Sequence, residues 1–215
     1  MRSVTAREPE HRFRFIVTPR RRRASDEWMS FHVAELWRYP VKSLAGERVT
    51  ATMLSPDGMT GDRIIHVLGP EGVRNSRRHY RLLGLHGSLD GEGRALIDGH
   101  PWDSPEALAL VRTAAGPDAW LEACEPVDRF DVLPLLIATD GAVAAFGRDV
   151  RRLRPNIVVG GVEGLAEREW VEGRLRIGAA FVRLDPMRSR CVMTTIDADT
   201  LRLDAGVLRD IVRRF

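Results

Sequence analysis

The sequence has no apolar run of about 18 residues or more, so no segment reads as a helix spanning a bilayer. The stretch Phe13 to Val17 is too short for the apolar core of a secretory signal. Only two cysteines occur, Cys124 and Cys191, and they do not form a CxxC pair. That excludes a disulfide scaffold and a cysteine-based zinc finger, and it favours a reducing compartment, the cytoplasm. The six histidines show neither HxxxH nor HxH spacing, so a histidine-based zinc site lacks support. No GxSxG, P-loop or GxGxxG motif is present, which removes the common hydrolase, nucleotidase and dinucleotide signatures. What is there is an ordinary globular composition. The 215 residues are 44 % hydrophobic and 29 % charged, enough chain for one large domain or two small ones.

The net charge of +3 is unevenly spread. Residues 1–28 hold eight arginines against four acids, which leaves the rest of the chain close to neutral. The cluster Arg20 to Arg23 suits an anionic surface in principle. The simpler reading is a solvated, disordered basic leader over 1–28, with neither nucleic acid nor membrane expected as a partner. Glu8, Glu10, Asp26 and Glu27 spoil the acid-poor pattern of an organelle import signal. Met29 opens the first well-patterned segment, so residues 1–28 read as an appendage or a mis-assigned start.

Beyond the leader the pattern gives mostly short strands. Val33 to Trp37, Glu47 to Leu54 and Arg63 to Leu68 read as strands, with Pro56-Asp57-Gly58 and Gly69-Pro70 as turns. Ala95 to Ile97 with Asp98-Gly99 reads as the arm and turn of a hairpin. Ala107 to Val111 and Val132 to Ile137 are further candidates, the second weakened by Pro134. A helix is expected from Asp140, its cap, through Val143, Phe146, Val150 and Leu153, ending at Arg154-Pro155. Ile157 to Val159 is apolar and is followed by a Gly160-Gly161 break and an acidic loop. Leu175 to Ile177 and Ala180 to Leu184 flank Gly178 as a tight hairpin. Val192 to Ile196 is rich in β-branched residues and reads as a strand. Asp204 to Phe215 has helical spacing. The fold class is α+β and β-rich, and short strands with frequent turns suggest a barrel or sandwich. A boundary falls where the pattern weakens, giving units 29–125 and 126–215.

Three segments carry candidate chemistry. WRYPVKS, Trp37 to Ser43, sets a lysine at a strand end beside two aromatics and a proline-fixed turn. RPN, Arg154 to Asn156, offers a guanidinium fork suited to phosphate and an amide suited to a heterocycle edge. SRCVMTT, Ser189 to Thr195, places Cys191 next to Arg190, an electropositive setting of the kind that favours thiolate, a soft metal ligand. Each has a plain alternative: a surface lysine, a solvated helix end, a buried structural cysteine. Cys124 reads as structural.

The order of these segments is more specific than any one of them. WRYPVKS, Asp62-Arg63, RPNIVVGG, an acid-rich loop reaching Glu169-Trp170, IGAAF and RCVMTT-ID together resemble the MOSC (molybdenum cofactor sulfurase C-terminal) family, over about Val33 to Phe215. The chain looks most similar to the longer, amidoxime-reducing branch. The resemblance implies an N-terminal β-barrel-like domain packed on a MOSC β-barrel domain with a few helices. It implies a molybdenum cofactor, with Cys191 as the metal ligand and catalytic thiol. Lys42, Ser43, Arg63, Arg154, Asn156 and Ser189 fall at cofactor-binding positions. The implied reaction is two-electron reduction of an N-hydroxylated or related N–O small molecule. Its electrons come from a separate flavin or iron–sulfur reductase, since the chain has no such centre of its own. Relatives continue past the equivalent of Phe215 with a strand, so the MOSC unit is expected to lack its last strands. The departures Ala198 and Tyr80 stand where the family usually has proline, and Val132-Leu133 where some relatives have hydroxyl residues. Two other readings stay open: a non-redox carrier of cofactor or sulfur, or an inactive truncated module. No pyridoxal-phosphate domain fits in this length.

Overall fold

The computed structural model describes residues 2–5, 17–18 and 31–215. Its centre is the strand His32–Arg38, in which Val33 and Leu36 are buried; their spacing of three breaks simple alternation and coincides with a register shift against the neighbouring strand. That strand lies in a four-stranded sheet ordered Ile137–Thr139, Ile157–Gly160, His32–Arg38, Glu47–Val49. The first pair is parallel and the other two are antiparallel, with a register shift between Val158 and Val159. All four residues of Ile157–Gly160 are buried, as expected for a strand covered on both faces.

Four further sheets have three strands each among the described residues. Trp120–Ala123, Ile65–Gly69 and Gly72–Val73 form one, and Gly87–Leu89, Ala95–Ile97 and His100–Pro101 another. Arg174–Ile177 and Ala180–Arg183 make a hairpin through Gly178 at φ +58, a left-handed corner that glycine takes without strain. The pieces Val17–Thr18 and Arg2–Thr5 pair with Arg174–Leu175 and with Ala51–Leu54. Those two pieces of the leader are therefore paired rather than disordered; the other residues of 1–28 lie outside the described ones. The architecture is a mixed α+β assembly of small sheets, and no sheet closes into a barrel among the described residues.

Three expectations are corrected. Ala107 to Val111 is not a strand but part of helix α1, Pro105–Ala115. Ser104 caps it by accepting from Ala107 N–H at 3.2 Å, Pro105 stands in the first turn, and Ala107, Val111 and Ala115 bury one face at a spacing of four. The strand expected over Val132 to Ile137 reduces to Ile137–Thr139. Val192–Thr195 is a single 3-10 turn, not a strand. The helix after Thr139 is also shorter than its apolar spacing suggests. Helix α2, Asp140–Phe146, is capped by Thr139 and stopped by Gly147 at φ +65. Asp140 instead accepts from Gly161 N–H at 2.6 Å and Val162 N–H at 2.9 Å, tying the helix start to the Gly-Gly break. Helix α3, Gly206–Arg214, lies where its spacing indicates.

Two buried clusters organise the fold. One lies wholly within residues 41–119 and packs Val41, Leu44, Ile65, Val67, Leu82 and Ile97 against α1. The other joins distant parts of the chain: Phe31, Leu36 and Met59 pack with Ile157, Trp170 and Leu175. Residues 39–45 cross from one cluster to the other. Their crossing point is pinned by Asn156, which is fully buried. Its side-chain amide donates to Trp37 O at 3.3 Å, and its side-chain oxygen accepts from Leu136 N–H at 3.1 Å. No helix among the described residues is long and apolar enough to cross a membrane.

Asn156→Ala leaves the part-buried Leu136 N–H and Trp37 carbonyl without their side-chain partner. The expected loss is about 2–3 kcal/mol of unfolding free energy, read from urea denaturation; an unchanged midpoint means the amide does not hold this joint.

Candidate functional site

The site is built around the buried ring of Tyr39, the first residue after the central strand. Three tethers fix it. Its N–H donates to Asp62 Oδ1 at 2.7 Å, its hydroxyl donates to Pro155 O at 3.2 Å, and its carbonyl accepts from Arg63 N–H at 2.7 Å. A side chain at Gly46 would run into the Tyr39 ring and Arg38 O, both 2.4 Å from where its Cβ would stand, so only glycine fits beside the ring.

Two guanidinium groups lie over that ring. Arg154 is 4.2 Å from its centroid and Arg63 is 5.2 Å, both within cation–π range. Arg63 also lies 5.7 Å from the ring of Phe130 and is ion-paired to Asp62, which has no exposed surface. Lys42 lies on the adjoining bend, its ammonium 2.7 Å from Asp131, which Arg77 also approaches at 3.6 Å. The bond from Lys42 holds the Asp131 carboxyl below the usual carboxylate range, with Arg77 and Arg63 adding to the effect.

Arg154 differs from its neighbours in having no carboxylate partner among the described residues. It is enclosed by protein on most sides and opens onto a cavity of about 230 Å³, walled by Trp37, Tyr39, Arg48, His86 and Met193. Burial lowers its pKa to about 10, with Arg63 and Arg190 repelling it, so it stays charged at neutral pH. Arg190 likewise has no carboxylate partner among the described residues. One of its terminal nitrogens donates to Leu153 O, while its Nε–H is buried with no acceptor. Burial lowers its pKa as well, against the opposing pull of Cys191 and Tyr39. The other arginines around the cavity are compensated: Arg151 pairs with Asp149 and Asp199, and Arg152 with Asp197.

Cys191 is partly buried beside Arg190 and opens the turn Val192–Thr195. Its carbonyl accepts from both the N–H and the hydroxyl of Thr194, at 3.1 and 2.9 Å. Those bonds fix the backbone that carries the sulfur.

The structure therefore gathers Arg63 and Arg154 about Tyr39, with Arg190 and Cys191 on its flank, while the Lys42 ammonium is held by Asp131. Ser43 is buried at the bend between them, at φ +75. Asn156 is adjacent but both ends of its amide are engaged by backbone. Ser189 is exposed in coil and takes no part in the cluster's hydrogen bonds. Six non-glycine residues adopt positive φ among the described residues, and Ser43, Arg63 and Arg154 are three of them. Strained backbone of this kind concentrates where side chains are aimed at a ligand. Sequence reasoning missed Asp62, Phe130 and Asp131 as partners of the basic groups. Asp62 was legible as the neighbour of Arg63, but Phe130 and Asp131 arrive on a loop with no periodicity.

Residues 30–101 match the MOSC N-terminal beta barrel domain, and residues 140–215 match the MOSC domain. The chain belongs to the MOSC family. Lys42, Ser43 and Arg63 fall within the first match, and Arg154, Asn156, Ser189 and Cys191 within the second. The chain is 26 % identical over 262 residues to mitochondrial amidoxime reducing component 2 of Macaca fascicularis, spanning 92 % of this chain and 75 % of that protein. It is 25 % identical over 227 residues to mitochondrial amidoxime-reducing component 1 of Homo sapiens, spanning 78 % and 67 %. Human component 2 is 36 % identical over a shorter stretch of 91 residues, 40 % of this chain and 27 % of that protein. The candidate site thus draws on both matched segments around the Tyr39 ring, and the unmatched stretch between them delivers Phe130 and Asp131.

The buried phenol gives a pH test. Desolvation raises the Tyr39 pKa to about 12, against the ordinary 10. The raised value favours the neutral phenol in the native state, so its contribution is whole below pH 10 and is lost as pH rises towards 12. In a Tyr80→Phe background, phenolate absorbance of the native protein is expected to rise with a midpoint near 12; a midpoint near 10 means the ring is open to solvent.

Proposed function

We propose that this MOSC protein is a molybdenum cofactor-dependent oxidoreductase that reduces N-hydroxylated or related N–O small molecules. Electrons come from a separate flavin or iron–sulfur reductase, since the sequence has neither a dinucleotide-binding signature nor an iron–sulfur set of cysteines. The observation that carries the reading is the pair Arg154 and Arg190. Both are enclosed guanidinium groups without a carboxylate, one opens onto a cavity, and the other holds an unused N–H beside a cysteine. Leaving buried donors unpaired is costly, and an anionic group settled there satisfies both.

The residues fit a phosphate-bearing pterin. Arg154 and Arg63 offer planar donor forks to its phosphate and ring edges, Lys42 adds a point charge, and Ser43 a hydroxyl at the bend. Asn156 holds the bend in place, and Ser189 precedes the thiol-bearing turn. Cys191 offers a soft thiolate to the metal. When bound, the cofactor supplies two-electron chemistry at molybdenum. The protein's own part is to anchor, orient and compensate charge. Arg190, adjoining the sulfur, stabilises negative charge on it and on any oxygen of a substrate N–O group placed there. Tyr39 keeps its proton at neutral pH and directs it to Pro155 O, so it is a platform for the guanidinium groups and not an acid.

The division into units 29–125 and 126–215 belongs to the same reading, supported by a buried cluster wholly within 41–119. Both cysteines are free thiols, in keeping with a reducing cytoplasm. The distant amidoxime reducing relatives support the substrate class.

Elemental analysis of protein made in a cofactor-competent host tests the reading. Molybdenum near one equivalent per chain is expected, falling to background in Cys191→Ala. Arg154→Ala is expected to weaken cofactor retention by about 2 kcal/mol through loss of a charge-assisted bond. Amidoxime reduction with an artificial electron donor separates an enzyme from a carrier: molybdenum without turnover favours a carrier, and no molybdenum at all sinks the proposal.

A further inference from the structure

Behind Lys42 and Arg63 lies a sulfur–imidazole pair that the site described above does not use. His66, on the strand Ile65–Gly69, is 4 % exposed, and its Nε2 is 3.4 Å from Sγ of Cys124. Cys124 follows the neighbouring strand Trp120–Ala123, and its N–H donates to Ile64 O at 2.9 Å. Its Sγ is 3.2 Å from the carbonyl oxygen of Arg63. A carbonyl only accepts, so the thiol proton points at Arg63. Burial raises the Cys124 thiol against the opposing pull of Arg129 and Lys42, and burial together with Lys42 lowers His66, so both groups are neutral in the physiological range. A neutral thiol is the form that can donate.

Arg63 needs that support. Its φ is +52, a left-handed conformation that side chains other than glycine rarely adopt. Three contacts hold it: its N–H to Tyr39 O, its guanidinium to Asp62, and its carbonyl from Cys124. The first two fix the residue's start and its tip. The third fixes the peptide plane that leads into Ile64 and Ile65, and Ile65 O in turn accepts from Lys42 N–H at 2.8 Å. His66 is the second partner of the sulfur, through the 3.4 Å contact of its Nε2.

We propose that Cys124, held by His66, is a positioning residue for the anion-binding face: its thiol tethers the left-handed Arg63 and sets the spacing of Arg63 and Lys42. This inference rests on the reading that those two side chains hold an anionic group. The pair is a support and not a nucleophile, since its protonated thiol lacks the charge that nucleophilic sulfur requires.

The test uses the full chain made in a host that lacks the pterin cofactor, with inorganic phosphate as probe and calorimetry as readout. Wild type is expected to bind phosphate, and Arg63→Ala to bind it at least about 10-fold more weakly. Cys124→Ala is expected to weaken binding about 5-fold, with its melting temperature little changed and hydrogen exchange of the Arg63 amide accelerated. Cys124→Ser restores a donor to the carbonyl and is expected to return both binding and exchange to near wild type. Should the alanine variant fold poorly, Cys124→Val fills the space without a donor and repeats the comparison. Phosphate binding that needs Arg63 but ignores the loss of the thiol overturns this inference alone, as does failure of serine to rescue. No phosphate binding by wild type, or equal binding by Arg63→Ala, overturns the anion reading and this inference with it.

Discussion

Everything at the candidate site depends on one buried aromatic ring carrying two positive charges. Tyr39 lies between two apolar clusters, where an unpaired cation is costly. The ring offsets part of that cost through its negative face, and Asp62 offsets part through its pairing with Arg63. What remains unbalanced is Arg154 and, beside it, Arg190. The protein thus holds positive charge in an enclosed place by fixing its supports: Asp62 and Pro155 O on Tyr39, and Leu153 O on Arg190. Enclosure matters for function because charge–charge attraction strengthens as water is removed. The same arginines on an open surface would bind an anion weakly and with steep salt dependence.

That arrangement explains why the strain lies where it does. Left-handed φ occurs at Arg63 and Arg154, the two residues whose guanidinium groups lie over the Tyr39 ring. Asn156 braces the second turn: its backbone bonds to Trp37 N–H and Leu136 O, and its side-chain amide adds bonds to Trp37 O and Leu136 N–H. The RPN segment therefore divides its labour. Arg154 presents charge, Pro155 ends the preceding turn and lends its carbonyl to Tyr39, and Asn156 joins the two halves of the fold.

How much of this was legible in the sequence follows from which interactions are local. The strand His32–Arg38, the hairpin through Gly178 and helix α3 were legible because period and turn chemistry act within a few residues. Helix α1 was misread as a strand because its buried face is mostly alanine, so Ala107 to Val111 looks like a short apolar run. The Ser104-Pro105 start, with Glu106 in the first turn, is the stronger local signal and favours a helix. Val192–Thr195 was misread for the opposite reason. Its β-branched residues favour extended chain, yet the hydroxyls of Thr194 and Thr195 bond back to Cys191 O and Val192 O and close a turn. At the site, the basic residues stood out because their motifs are contiguous. Their counter-charges did not, since Asp131 reaches Lys42 from an aperiodic loop 89 positions away.

The linking loop also bears on how a two-part site keeps its geometry. The matched segments end at residue 101 and resume at 140, and each supplies only part of the cation set. Their relative placement is fixed in three ways: the parallel and antiparallel pairing of Ile157–Gly160 with its neighbours, the Asn156 joint, and the loop between them. Phe130 on Arg63 and Asp131 on Lys42 are contacts from that loop to the first segment. Residues 137–139 then pair with the second. A rigid-body shift of either segment would have to break sheet hydrogen bonds and strip the aromatic cover from Arg63 at once. Because sheet pairing and aromatic stacking both fall off within an ångström or two of displacement, the spacing of Lys42, Arg63 and Arg154 is set by the packed core rather than by the basic side chains themselves, which repel one another.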